Sequence, residues 1–328
     1  MDKEYRPTIE SGKDKEAGLN AKTDHNVKRD SQAGPENETL RDNPEGTCSI
    51  TLSANTGISL SMCGTKLWID ALHNTNVGDY STLDRDMLDA MRETEAFQDP
   101  DALIYTHCHE DHFSAELAEK ALAEWPEAIA ILPEQHLSRQ ILLEGDSEKF
   151  VIGGLEVLMI KVTHEGEEFA DVPNYACVIS PAGGPAGHAC SGHTILILGD
   201  SELGNAKLLW QLCKAGFALK CDKGTDPLSR YTGQEELMSG LDTDAQTELQ
   251  EPARKIDVVI EDFPWAAVRR GRQPIENIIC PEHLIIYHLP FEEDDVQGYG
   301  PMIRRVISRI HMIPDIRIMD KFLQTEIL

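Results

Sequence analysis

Residues 106–114 read Thr-His-Cys-His-Glu-Asp-His-Phe-Ser and follow the apolar run Ala102–Tyr105. On an extended segment, residues two apart share a face, so His107 and His109 can converge on one ion. The chain must then turn into a helix opened by Ser114, and that turn can aim Asp111 and His112 at a second position close by. Imidazoles together with carboxylates suit borderline divalent ions such as zinc, manganese or iron. The same alternation sends Cys108 to the opposite face, where it reads as a core thiol. Glu110 reads as a spacer.

A metal needs more ligands, and the sequence offers them where apolar strands end. His164 closes "VLMIKVTH", Asp200 closes "TILILGD" and His288 closes "HLIIYH". Each run delivers one polar residue at the point where strands meet loops and clefts.

Taken together, these residues resemble the metallo-β-lactamase superfamily. "THCHEDH" matches its His-x-His-x-Asp-His signature, and the later order of a His, a strand ending in Gly-Asp and a last strand-end His matches as well. "GTKLWIDALH" is similar to that superfamily's strand ending in Asp, which implies that Asp70 supports the site from behind. The resemblance covers roughly residues 47–320 outside one insertion. It implies a four-layer αββα sandwich with two divalent ions in the cleft between its halves. His107, His109 and His164 would hold the first ion, Asp111, His112 and His288 the second, and Asp200 would bridge them. Coordination lowers the pKa of a bound water from about 15.7 to about 7, so a hydroxide nucleophile exists at neutral pH. Asp111 would orient it and take its proton. "VTHEGEEFADVPNY" stands where the family usually has a His-Thr-Pro-Gly-His stretch, which is closer to the lactonase-like branch. His109 stands where flavodiiron proteins carry Glu.

These residues need a scaffold to present them. "CSITLSA", "GISLSMC" and "KLWIDAL" read as a strand meander separated by "NTG" and "GT" turns. "STLDRDMLDAMRETEAF" has helical spacing after a Ser/Thr cap, and "SAELAEKALAEW" is a second helix. "EQHLSRQILLEG" is expected to be helical too. "FVIGGLEVLMIKVTH" reads as a hairpin, and "NYACVIS", "HTILILGD", "IDVVIED" and "HLIIYH" as strands. "AKLLWQLCKAGFAL" and "VQGYGPMIRRVISRIH" complete the helices. No dinucleotide fingerprint, phosphate loop or nucleophile elbow is present. Residues 1–46 are expected to be a disordered tail, 47–328 the domain, and about 220–253 a surface insertion.

Composition narrows the partners. The 57 acidic and 30 basic residues give a net charge of −27, which argues against binding phosphate backbones. No run of 18 apolar residues occurs, so neither a membrane span nor a signal peptide is expected. The eight cysteines form no Cys-x-x-Cys pair and read as reduced thiols of a cytoplasmic protein. Three residues are candidates for touching substrate: His73 after the Asp70 strand, Tyr175 after Asn174, and Arg270 in the cluster Arg269, Arg270, Arg272.

The expectation is a dinuclear metal-dependent hydrolase for a small ester, lactone or phosphoester. Zinc is the first choice of ion, manganese the second and iron the third. The alternatives are a phosphodiesterase or nuclease of the same fold and a mononuclear iron dioxygenase. Oligomeric state is not legible from the chain.

Overall fold

The computed structural model describes residues 24–26, 47–75, 77–78, 80–183, 192–219 and 254–328. The expected insertion at 220–253 therefore lies outside the described residues. So does the expected tail, apart from Asp24–Asn26, which form an edge strand.

In chain order the strands are β1 (Asp24–Asn26), β2 (Ser49–Leu52), β3 (Ile58–Met62), β4 (Thr65–Ile69), β5 (Ala102–Ile104), β6 (Ile129–Leu132), β7 (Ile141–Leu142) and β8 (Ser147–Ile152). They continue as β9 (Leu155–Val162), β10 (Asn174–Pro181), β11 (Ile195–Ile197), β12 (Val258–Asp262), β13 (His283–Tyr287), β14 (Asp315–Ile318) and β15 (Thr325–Ile327). The helices are α1 (Arg85–Glu93), α2 (Ala115–Glu124), α3 (Ala206–Lys214), α4 (Phe263–Ala267), α5 (Arg269–Pro274) and α6 (Tyr299–Ile307). One mixed sheet has the order β1-β8-β9-β10-β11-β12-β13-β14 and the other β15-β2-β3-β4-β5-β6-β7.

Side-chain alternation divides the layers, because successive residues of a strand face opposite ways. In β9, Leu155, Val157 and Met159 join the core shared with the second sheet, while Leu158, Ile160 and Val162 pack with the helix layer. β10 and β12 divide likewise, with Cys177 and Ile260 inward to the facing sheet and Val178 and Val259 outward. Leu208, Leu212, Trp265 and Ile303 cover that outer face. Met91, Leu117 and Ala121 of α1 and α2 pack on the other sheet. The chain thus has the α/β sandwich architecture that its motifs imply, two mixed sheets face to face with helices on their outer sides.

Some local readings change. "EQHLSRQILLEG" is not a helix: Gln140 Oε1 accepts from the backbone N–H of His136 and of Leu137 at 2.9 and 2.7 Å, closing a turn before β7. A side chain that satisfies backbone donors in this way competes with helix formation. Helix α1 is capped by Asp84, whose carboxylate accepts from Met87 N at 2.8 Å, rather than by Ser or Thr. Cys48, Cys108, Cys177 and Cys280 are free thiols. Cys63, at the half-buried β3–β4 turn, is disulfide-bonded, so the reading of all eight cysteines as reduced does not hold. Among the described residues no helix is long and apolar enough to cross a membrane.

Candidate metal centre

β4 through β7 run parallel in one sheet, and β11 through β14 run parallel in the other. Their carboxyl ends open on one edge of the sandwich, the position where open α/β sheets commonly place ligands. Asp70 follows β4, His107 follows β5, His164 follows β9, Asp200 follows β11 and His288 follows β13. The strand-to-loop switch is sharp. Asp70 and His288 adopt φ of 49° and 57°, in the left-handed region that non-glycine residues rarely occupy. Gly199, φ +54°, precedes Asp200, and a Cβ there would stand 3.1 Å from the Thr106 side chain. Glycine is required at that position for both reasons.

The turn after His107 is closed by Phe113 N donating to His109 O at 2.9 Å, and Ser114 caps α2 through Leu117 N. Asp70, fully buried, holds the turn from behind. Its oxygens accept from Thr106 N at 2.8 Å and from Thr106 Oγ1 at 2.6 Å, and Oδ2 lies 3.1 Å from His112 Nδ1. The His112 Nδ1–H thus points at a carboxylate, leaving Nε2 bare for a metal. Thr106 Oγ1 does the same for His107 Nδ1 at 3.1 Å, and the Glu165 carbonyl for His164 Nδ1 at 2.7 Å. A partner on one ring nitrogen fixes the tautomer and the aim of the other, which is how metal-binding imidazoles are oriented.

The freed atoms converge. Asp200 lies 3.9 Å from His107 Nε2, 3.8 Å from His164 Nε2, 3.3 Å from His112 Nε2 and 3.4 Å from His288 Nδ1. Asp111 Oδ2 lies 3.7 Å from His288 Nε2 and 4.0 Å from His112 Nε2. Donor atoms of His107, His109 and His164 lie within 4.8 Å of one another, and so do those of Asp111, His112 and His288. Nε2 of His107, His112 and His164, both nitrogens of His288 and Oδ1 of Asp200 are buried without a hydrogen-bond partner. Buried polar atoms are normally satisfied, so a set of orphans aimed at common points fits divalent ions bound by nitrogen and oxygen.

The electrostatics of the same groups follow from burial and from the carboxylates that face the rings. Burial, reinforced by His112, holds the His107 pKa well below its ordinary value, so the ring is neutral and its lone pair free. Burial opposes charge on His112 too, but Asp200, Asp70 and Asp111 outweigh it and raise its pKa, so a bound ion would take the place of the proton on Nε2. Burial alone would raise the pKa of Asp111 and of Asp200. The neighbouring histidines overcome it in both, keeping the carboxyls ionised.

All seven residues expected as ligands therefore meet at one place. The expected substrate contacts do not. His73 is fully buried with Nε2 3.1 Å from Ala54 O, and burial pushes its pKa down to about 4, against the raising effect of that carbonyl. Tyr175 is buried and its hydroxyl donates to Gly145 O at 2.9 Å, away from the cavity. Arg270 pairs on the surface with Glu202 at 2.8 Å. None of the three is among the residues lining the cavity. Glu110, expected to be a spacer, is on its wall.

The cavity has a volume of about 430 Å³ and is lined by Val77, Tyr80, Phe169 and Pro264 together with five of the candidate ligands (His109, Asp111, His164, Asp200 and His288), Glu110, Glu165 and Asp262. Tyr80 stacks on His288 with ring centroids 4.4 Å apart, and Phe169 meets His109 at 4.9 Å. Asn55 also escaped notice. From the "NTG" turn its Nδ2 donates to Asp111 O at 3.3 Å, and its backbone carbonyl accepts from His288 N at 3.1 Å, tying two ligands together. Its signal was only an Asn in a turn, here with φ 52°.

No family model and no curated protein matches the chain. Among solved structures it is similar to the metallo-β-lactamase fold protein YhfI from Bacillus subtilis, with 13% identity over 86% of this chain and 100% of that one, at a TM-score of 0.47. It is similar as well to a possible metal-dependent hydrolase from Veillonella parvula, with 13% identity over 86% and 99% of the two chains, at a TM-score of 0.49. The isothiocyanate hydrolase from Delia radicum gut bacteria has 14% identity over 85% and 98%, at a TM-score of 0.48.

Proposed function

We propose that the chain is a dinuclear metal-dependent hydrolase acting on a small neutral ester or lactone. The observation that carries this reading is the set of orphaned buried nitrogens and carboxylate oxygens converging at the strand ends. His107, His109 and His164 would hold one ion, Asp111, His112 and His288 the other, and Asp200 both. Zinc is the first candidate, because five of the seven donors are imidazoles. When bound, the ions supply an activated water at neutral pH and positive charge for the oxygen that becomes negative. Asp111, kept ionised by His288 and His112, orients the attacking water and accepts its proton. Tyr80 and Phe169 border the opening and exclude solvent from the reacting carbonyl.

The wall favours an uncharged substrate. It carries Glu110, Glu165 and Asp262 beyond the candidate ligands, and among the described residues neither lysine nor arginine lines it. A phosphoester would meet carboxylates with no guanidinium to clamp it, since Arg270 is engaged by Glu202. The volume falls within the range of small-molecule pockets, about 300–1,000 Å³. The cytoplasmic placement drawn from the cysteines keeps the support of four free thiols among the described residues and loses that of Cys63.

Elemental analysis with a hydrolysis panel tests the reading. Two zinc or manganese ions per chain are expected, with chelator-sensitive turnover of lactones or acyl esters and little of phosphodiesters. Asp111→Asn should abolish that turnover. A single iron per chain would overturn the proposal in favour of a mononuclear oxygenase.

A further inference from the structure

We propose that Asp262 is an additional ligand of the second metal position, and that it shifts this position toward harder ions than the first. The inference rests on the two-ion reading above. Asp262 is the last residue of β12, paired in parallel register with Tyr287, the residue before His288. This register brings its carboxylate to the site. Donor atoms of Asp200, Asp262 and His288 all lie within 4.8 Å of one another. Asp262 is 3% exposed, its Oδ1 is buried without a hydrogen-bond partner, and it lines the cavity.

Asp262, buried, and Asp200, partly buried, face each other and repel unless a cation lies near both. Among the described residues no lysine or arginine lines the cavity to provide one. An ion shared by Asp200 and Asp262 does so, and it gives the orphaned oxygen a partner. Its neighbour Glu261 is fully buried as well, but it does not line the cavity and its charged neighbours are Arg272 and Glu276. Strand alternation accounts for the difference between the two adjacent acids.

With Asp262 included, the two positions differ in chemistry. The first is ringed by three imidazoles and one Asp200 oxygen. The second has His112 and His288 against Asp111, Asp262 and the other Asp200 oxygen. Imidazole suits zinc, whereas a majority of carboxylates suits manganese and its hard neighbours. Asp262 therefore raises manganese affinity at the second position relative to zinc.

The test is a metal titration of the whole protein, read without turnover. Protein stripped with chelator is reloaded with one equivalent of zinc and titrated with manganese(II) chloride. Free manganese is followed by electron paramagnetic resonance, and bound metal by elemental analysis. Wild type should retain one zinc and take one manganese. Asp262→Asn should keep the zinc while manganese affinity falls at least about tenfold. Asp262→Glu should recover part of the loss. Circular dichroism of the stripped variants checks that they fold. Unchanged manganese affinity in a folded Asp262→Asn protein overturns the ligand assignment alone. A wild-type protein that never takes a second ion overturns the two-ion reading with it.

Discussion

The two halves of the candidate centre are built in opposite ways. On one sheet, His107, His109, Asp111 and His112 crowd onto a single turn between β5 and α2. On the other, His164, Asp200, Asp262 and His288 arrive singly from the ends of four strands. The first half depends on one local backbone shape, held by Asp70 and Thr106 from behind. The second depends on sheet register, because neighbouring strands must end level for their last residues to meet. A local perturbation should therefore strike one half, whereas a change at the residue between them should strike both.

Asp200→Ala should have the largest effect, since Asp200 stands within 3.9 Å of a nitrogen of His107, His112, His164 and His288. Both ions and all turnover are expected to be lost, and full metal content in the variant would break the bridging assignment. Asp70→Ala should act on the turn alone. With the His112 Nδ1–H unaccompanied, affinity at the second position should fall by about 10- to 100-fold. The first ion should loosen less, because Asp70 reaches its ligand His107 only through Thr106, and metal-resolved titration would expose an equal loss at both. Gly199→Ala should cost about 1–3 kcal/mol of stability, because a side chain at φ +54° is strained and meets Thr106. Thermal denaturation of the metal-free protein measures it. Arg270→Ala should change least. The Glu202 pair is exposed and such pairs contribute about 0–1 kcal/mol, with no effect on KM; a raised KM would return Arg270 to substrate binding.

The same contrast explains what could be read from the chain. The crowded half was legible because its spacing is local: alternation places His107 and His109, and the turn into the Ser114 cap places Asp111 and His112. His164, Asp200 and His288 were legible because each ends an apolar run. Asp262 ends "IDVVIED" in the same manner but follows another acid, and nothing in the run says which of Glu261 and Asp262 faces the cavity. Tyr175 and Arg270 failed for the converse reason. Tyr175 is spent on Gly145 O and Arg270 on Glu202, partners that only folding brings near. "EQHLSRQILLEG" misled because Gln140 diverts backbone donors from a helix.

The sequence by itself determined the candidate donor set and the layer pattern. Donor types, their spacing and the period of the apolar runs are local quantities. Tertiary structure decided which ring nitrogen each histidine keeps free, which of two adjacent acids reaches the cavity, and that among the described residues the wall carries carboxylates without a guanidinium. Those properties depend on distances between residues far apart in the chain, and only the register of the two sheets sets them.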